Sequence, residues 1–126
     1  MNNVSQYAFY GSLRRGMFNY DFYKRQLQYH STKILRGFRL FALKDYPIAI
    51  KSDDSNNRLT VEIFSILDLN TEKEIHALET DAGYYFECIK IDGLNTGIYL
   101  FENNSGWPQI PGGDWVKYFE VHKISK

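Results

Sequence analysis

The sequence predicts an α+β fold, a small and mostly antiparallel β-barrel flanked by helices. Three observations lead to this class. Five or six short segments rich in β-forming residues follow one another, two segments have helical spacing, and the chain has 126 residues. Parallel strand pairs need long crossover connections. A chain this short with this many strands therefore favours a closed, mostly antiparallel sheet.

The first half of the chain is expected to form strand 4–10, helix 17–28, strand 37–43 and the short strand 48–50. The first strand ends at Gly11, as a strand running into a sharp turn does. Helix 17–28 is predicted because Phe18, Phe22 and Leu27 recur at mixed helical spacings. Pro47 cannot donate to a sheet, and it therefore fits the start or edge of the last strand.

The second half is expected to form strand 59–64, helix 71–80, and strands 84–91 and 97–101. Apolar and polar residues alternate regularly from 59 to 64, which indicates a strand with one apolar face. Thr71 followed by Glu74 has the spacing of a capping box at a helix start. The glycines of segment 93–97 suit a hairpin connection between the last two strands.

The bulk composition excludes several classes of function. The length predicts a single domain over residues 1–126. The charge is balanced, with 15 Lys+Arg and 15 Asp+Glu, so that no overall field attracts nucleic acid or an anionic membrane. Cys88 stands alone, which excludes an intrachain disulfide. The start of the chain lacks a signal peptide pattern, and no long apolar run follows, so a cytoplasmic location is expected.

A carboxylate interrupts the apolar stripe of the second predicted helix. Ile75, Leu78, Glu79 and Ala82 stand at i, i+3, i+4 and i+7, so that Glu79 shares the face expected to meet the core. A glutamate in the last turn also meets the negative end of the helix dipole. One interpretation is a functional carboxylate. The alternative is a helix that frays near Thr80 and leaves Glu79 in solvent, and the spacing does not decide between them.

The segment Tyr10-Gly11-Ser12-Leu13 follows the first strand. A glycine at a strand end lets successive backbone amides converge on a small anionic or carbonyl group. The alternative is a plain turn with a packing tyrosine. Ser12 is not in a Gly-x-Ser-x-Gly elbow, so a turn or ligand contact is favoured over a nucleophile.

The remaining reactive side chains are expected to be structural. His30, His76 and His122 lack the spacing of metal ligands, and no metal site is predicted. Cys88 lies in a predicted strand without a neighbouring acid–base motif, which favours a buried structural thiol.

Five motifs, in the same order, resemble the γ-glutamyl cyclotransferase-like family, and in particular bacterial members similar to γ-glutamylamine cyclotransferase. They are Tyr10-Gly11-Ser12-Leu13-Arg14-Arg15-Gly16, Tyr46-Pro47, Val61-Glu62-Ile63-Phe64, Ala77-Leu78-Glu79 with the later Tyr85, and Gly113-Asp114-Trp115. The resemblance spans residues 7–115.

The resemblance implies that the 10–13 loop holds a γ-glutamyl group beside Glu79, with Tyr85 as a further substrate contact. It implies cyclisation of a γ-glutamyl amine or amino acid to 5-oxoproline, without a metal or organic cofactor. Glu79 would act as general acid and base, and backbone amides of the loop would stabilise the oxyanion.

The chain departs from the family pattern at three positions. Val61 and Thr80 stand where glycine is frequent, and Phe86 stands where arginine is common. These departures leave open which amine is released. The sequence does not define the oligomeric state either.

Two other functions remain as alternatives. The same cavity would serve a non-catalytic binding protein for a small acidic metabolite. Basic and aromatic residues around Arg14 and Phe22 resemble a single-stranded nucleic acid platform, but the zero net charge argues against it. Asp114 and Trp115 are interpreted as a turn or cap followed by a core anchor, ahead of a substrate role.

Overall fold

The computed structural model of the chain describes residues 4–103 and 106–124. Its elements in chain order are β1 Gln6–Phe9, α1 Phe18–Tyr23, a 3₁₀ turn Lys24–Gln26, β2 Leu27–Arg36, β3 Phe38–Leu43, β4 Tyr46–Lys51, β5 Arg58–Ile66, α2 Leu69–Asp81, β6 Tyr85–Ile91, β7 Leu94–Leu100 and α3 Trp115–Ile124. No helix in this part of the chain is long and apolar enough to cross a membrane.

The strands form a five-stranded sheet in the order β2-β5-β1-β7-β6 and a two-stranded sheet of β3 and β4. Every pair is antiparallel except β1 with β7. The β3–β4 hairpin joins the larger sheet where the amide of Phe101 donates to the carbonyl of Ala49 at 2.9 Å. The predicted α+β class with mostly antiparallel strands is confirmed.

The core is built around the central strands. Tyr7 and Phe9 of β1 stack on each other, and Phe64 of β5 packs against Phe9. Both faces of β1 are buried, and the strand is the middle one of the five-stranded sheet. This strand therefore delivers the residues that follow it directly into the interior of the protein.

The helix predicted over 17–28 is much shorter in the structure. It covers residues 18–23, and the chain then enters β2, a ten-residue edge strand that pairs with β5 and has an irregularity between Tyr29 and Ser31. The more buried face of β2 carries Ser31, Lys33 and Leu35, which is not an apolar set. The strand therefore lacks the alternation by which sequence patterns reveal strands.

The connection between β6 and β7 is also shorter than predicted. Asp92 and Gly93 form a two-residue turn in which both φ angles are positive, 53° and 79°, as a type I′ hairpin requires. Strand β7 therefore begins at Leu94, and Gly97 lies inside it. A Cβ on Gly97 would stand 2.6 Å from Cε1 of Phe86, so that the glycine there makes room for an aromatic ring.

Two local predictions about side chains are wrong. The N-cap of α2 is Asp68, whose carboxylate accepts hydrogen bonds from the amide and the hydroxyl of Thr71 at 2.7 and 3.0 Å. The capping residue therefore stands three positions before the predicted one. Cys88 is exposed, because β6 is an edge strand and this residue is on its outer face.

The last helix, α3, was not predicted. Asp114 precedes it, and its carboxylate accepts from the amide of Lys117 at 3.3 Å. Trp115 is buried and stacks on Tyr118. The interpretation of Asp114 and Trp115 as a cap followed by a core anchor is confirmed.

Candidate active site

The loop after β1 leaves the sheet at its centre. The Tyr10 hydroxyl donates to the carbonyl of Tyr99 and accepts from the amide of Ala49 at 3.2 Å. These bonds connect β1, β4 and β7 at one point. Tyr10 is thereby fixed as a wall of the cavity, and its position fixes that of the loop behind it.

Three successive backbone amides of this loop have no hydrogen-bond acceptor in the described part of the chain. Among the described residues, no acceptor hydrogen bonds to the amides of Gly11, Ser12 or Leu13, and all three residues line a pocket. The amide of Arg14 donates back to the carbonyl of Gly11 at 3.0 Å, which closes a tight turn. Successive free amides in a turn form a concavity that binds an anion or a polarised carbonyl.

A buried charge cluster holds the far end of the loop. The Glu62 carboxylate accepts from Nε of Arg14 at 2.9 Å, and from the amide and Nε of Arg15 at 2.9 and 3.1 Å. Nη1 of Arg14 also donates to Asp114 at 2.8 Å. Buried charges of this kind are tolerated because each has an opposite partner and hydrogen bonds. The cluster connects the loop to β5 and to the start of α3.

Ser12 connects the loop to α1. Its hydroxyl accepts from Nδ2 of Asn19 at 2.7 Å, and its carbonyl accepts from the amide of Tyr20 at 3.0 Å. The hydroxyl of Ser12 has no basic partner among these contacts. This fits the expected turn or ligand-contact role better than that of a nucleophile.

Glu79 lies in the last turn of α2, which continues to Asp81 instead of fraying at Thr80. Its side chain is half-buried and lines the same pocket as the 10–13 loop. Among the described residues, it has neither a hydrogen-bond donor nor a cation as partner. Desolvation by burial raises the pKa of Glu79 from 4.5 to about 7, so that the carboxyl group exchanges its proton near neutral pH.

Buried tyrosines surround this carboxyl group. Burial raises the pKa of Tyr84, with the negative charge of Glu79 as the next cause. The pKa of Tyr10 and that of Tyr99 are raised by burial first, and Glu79 contributes to both. The three phenols are therefore neutral at ordinary pH. Tyr84 is further fixed by donating its proton to the carbonyl of Pro47.

The cavity has an inner and an outer part. The inner pocket measures about 20 Å³, which accommodates one small polar group, and the outer groove measures about 610 Å³. Four residues line both parts: Ser12, Tyr46, Glu79 and Tyr84. A ligand that reaches from one part into the other must therefore pass Glu79.

The structure brings together five of the six predicted site residues: Tyr10, Gly11, Ser12, Leu13 and Glu79. Tyr85, the sixth, is not among the residues that line either part of the cavity. Its neighbour Tyr84 lines both parts, because the chain reverses at Gly83 and turns Tyr84 inward before β6 begins. Tyr99 was not predicted, since its β-strand pattern carries no chemical signal.

Solved structures share this fold. An uncharacterised protein from Pyrococcus horikoshii aligns with a TM-score of 0.77 and 21% identity, over 94% of this chain and 96% of that one. A uropathogenic E. coli-specific protein aligns with a TM-score of 0.76 and 24% identity, over 95% and 98%. The protein ytfP from Escherichia coli gives 0.69 and 24%, over 90% and 97%.

At these identities the likeness concerns the fold. A comparison with curated proteins gives no significant match. The profile of the family described as "Gamma-glutamyl cyclotransferase, AIG2-like" matches residues 7–117, and the chain therefore belongs to that family.

Proposed function

We propose that the protein is a γ-glutamyl cyclotransferase, which converts a γ-glutamyl amine or amino acid into 5-oxoproline and the free amine. One observation carries the proposal. The half-buried carboxyl group of Glu79 has no partner among the described residues, burial raises its pKa to about 7, and it shares a pocket with three residues whose backbone amides have no acceptor. A structural carboxylate would be expected to have a donor or a cation beside it.

The reaction exchanges one amide bond for another. The α-amine nitrogen of the substrate attacks its own γ-carbonyl carbon, the new C–N bond closes the five-membered ring, and the C–N bond to the leaving amine breaks. Ionised Glu79 accepts the proton that the attacking nitrogen loses, and protonated Glu79 returns it to the leaving nitrogen. The proton balance closes without a co-reactant, and a carboxyl group with a pKa near 7 is suited to both transfers.

The loop supplies the electrostatic part of the mechanism. As the nitrogen attacks, negative charge develops on the carbonyl oxygen, and the amides of Gly11 to Leu13 stabilise it by hydrogen bonding. The inner pocket has the size of one such polar group. The neutral phenols of Tyr10 and Tyr84 keep the pocket walls polar without adding charge. Tyr85 remains a predicted contact outside the lining.

The test is a panel of γ-glutamyl amino acids, γ-glutamyl amines and γ-glutamyl-lysine, assayed for 5-oxoproline with purified protein and no added metal. We expect turnover of at least one compound. Failure of every compound at high protein concentration, with the fold intact by circular dichroism, would support the alternative of a binding protein for a small acidic metabolite. Calorimetric titration with 5-oxoproline then measures whether the cavity binds.

A further inference from the structure

The mouth of the outer groove is surrounded by exposed apolar side chains. Phe18 is 82% exposed, Tyr46 is 41% exposed and Leu78 is 37% exposed, and Ala82 and Phe119 complete the apolar lining. Exposed apolar side chains that converge on a cavity mark a surface that is covered when a ligand binds.

The charges of the groove have one sign. None of its described lining residues is Lys, Arg or His, whereas Asp45 and Glu79 are both carboxylates. The guanidinium group of Arg14 lies behind the loop, but Glu62 and Asp114 already bind it. A ligand carboxylate in the outer groove would therefore lose water, face like charge and find no cation.

The fold holds this apolar mouth in place beside Glu79. Phe18 starts α1, which is bound to the 10–13 loop through the contacts of Asn19 and Tyr20 with Ser12. Leu78 precedes Glu79 in α2. Phe18 is thus next in sequence to Asn19, and Leu78 is next to Glu79, and both of these neighbours line the cavity. The mouth belongs to the site and is not an unrelated surface patch.

Resting on the proposed function, we propose that the outer groove receives the leaving amine and selects one with an aromatic or alkyl chain and no carboxylate. The γ-glutamyl carbonyl lies at the inner pocket, the bond that breaks lies at Glu79, and the amine extends past Leu78 to Phe18. An apolar chain there removes its own surface and that of the exposed rings from water.

Three substrates that share the γ-glutamyl group distinguish the preference for an apolar chain from the exclusion of a carboxylate. γ-Glutamyl-phenethylamide and γ-glutamyl-phenylalanine differ by one carboxylate, and γ-glutamyl-methylamide lacks the ring. We expect kcat/KM for the phenethylamide to exceed each of the others by about tenfold or more, from ring burial in one comparison and from the unpaired carboxylate in the other.

Variants assign the effects to residues. Phe18→Ala should reduce the advantage of the phenethylamide over the methylamide. Phe22→Ala is the matched control, because Phe22 lies on the same helix, is 73% exposed, and does not line the groove. Asp45→Asn should narrow the difference between the phenethylamide and the phenylalanine compound, and Asp53→Asn in the exposed 52–57 loop should leave it unchanged.

Affinities measured by calorimetry on Glu79→Gln repeat the ring comparison, phenethylamide against methylamide, without appreciable turnover; the carboxylate comparison needs the charge of Glu79 and is made on the wild type. If no γ-glutamyl compound reacts in the wild type, the proposed cyclisation fails. Binding of the phenethylamide about tenfold tighter than that of the methylamide would still support the apolar groove. If γ-glutamyl-phenylalanine binds and reacts as well as the phenethylamide, or if the ring gives no advantage over a methyl group, the inference is overturned.

Discussion

The ring of Pro47 occupies the space that a side chain on Gly11 would need. A Cβ at Gly11 would stand 2.8 Å from Cγ and 3.0 Å from Cδ of Pro47. A proline ring cannot rotate away, so that a contact this short must displace backbone. The motif after β1 and the Tyr-Pro motif at the start of β4 thus form one wall of the pocket, and glycine is required there by packing.

We therefore expect Gly11→Ala to lower the free energy of unfolding by about 1–3 kcal/mol, and Gly11→Val to lower it more. Both should weaken binding of 5-oxoproline, because the loop amides move. Urea unfolding and calorimetry measure the two effects. Gly112→Ala is the control, since its Cβ would meet nothing within 4 Å. Adding Pro47→Ala to Gly11→Ala should recover part of the loss, and strict additivity would contradict the contact.

Glu79→Gln should separate binding from turnover. The amide nearly preserves the shape of the carboxyl group, so that the fold and most of the affinity for 5-oxoproline remain, while kcat falls by about 10²–10⁴ as the acid–base contribution is lost. In the wild type, kcat/KM should rise with pH through about 7, where Glu79 becomes ionised. A variant with wild-type turnover would show that another group is the base.

The free energy of unfolding should depend on pH differently in the wild type and in Glu79→Gln. Because burial raises the pKa of Glu79 from 4.5 to about 7, the folded state keeps a proton that the unfolded chain has already released. The contribution of this carboxyl group to the free energy of unfolding is fully present below pH 4.5 and is lost as the pH rises through 7.

Relative to Glu79→Gln, the free energy of unfolding of the wild type should thus fall by up to about 3 kcal/mol between pH 4.5 and about 7. Urea titrations across this range measure the difference. A constant difference would mean that the carboxyl group is solvated.

Gly113→Ala should be severely destabilising. A Cβ at Gly113 would stand 1.8 Å from the carbonyl oxygen of Arg58, and the φ angle of +68° disfavours any side chain. Both effects disturb the entry into α3, and we expect a loss of more than about 3 kcal/mol. Thermal unfolding of Gly113→Ala beside Gly112→Ala tests this, and equal melting temperatures would contradict it.

Glu62→Gln should destabilise the end of the 10–13 loop, where Glu62 binds Arg14 and Arg15. The change leaves the buried Arg14 with a weaker partner and removes a charge that Arg15 also contacts, so that we expect a loss of about 3–5 kcal/mol. Arg15→Ala removes a half-exposed partner and should cost about 1 kcal/mol or less. Similar losses in urea unfolding for both variants would show that the cluster is not a buried ion network.

Sequence reasoning named five residues that line one pocket because their signals are local. Glu79 on an apolar helical stripe and Gly11 at a strand end are visible as exceptions to a periodic pattern. Tyr85 was predicted as a substrate contact, whereas Tyr84 lines the cavity, since the inward direction of Tyr84 depends on the reversal at Gly83. That reversal uses a positive φ of 103°, which a sequence does not display.

The missed elements lack a pattern that could be read alone. Strand β2 is held by its pairing with β5 along its whole length, while its own side chains are mainly polar. Helix α3 begins directly after Asp114, whose carboxylate accepts from Arg14, a residue 100 positions earlier in the chain. In both cases tertiary contacts decide the local structure.

The central position of β1 has a consequence for how the site forms. Tyr7 pairs with Phe64 on one side and with Gly97 on the other, so β1 is synthesised well before both of the strands with which it pairs. Contacts this distant in sequence lower the rate at which a chain folds. The amides of β1 should exchange with deuterium only through global unfolding. The 10–13 loop is thus attached to the strand that we expect to open last.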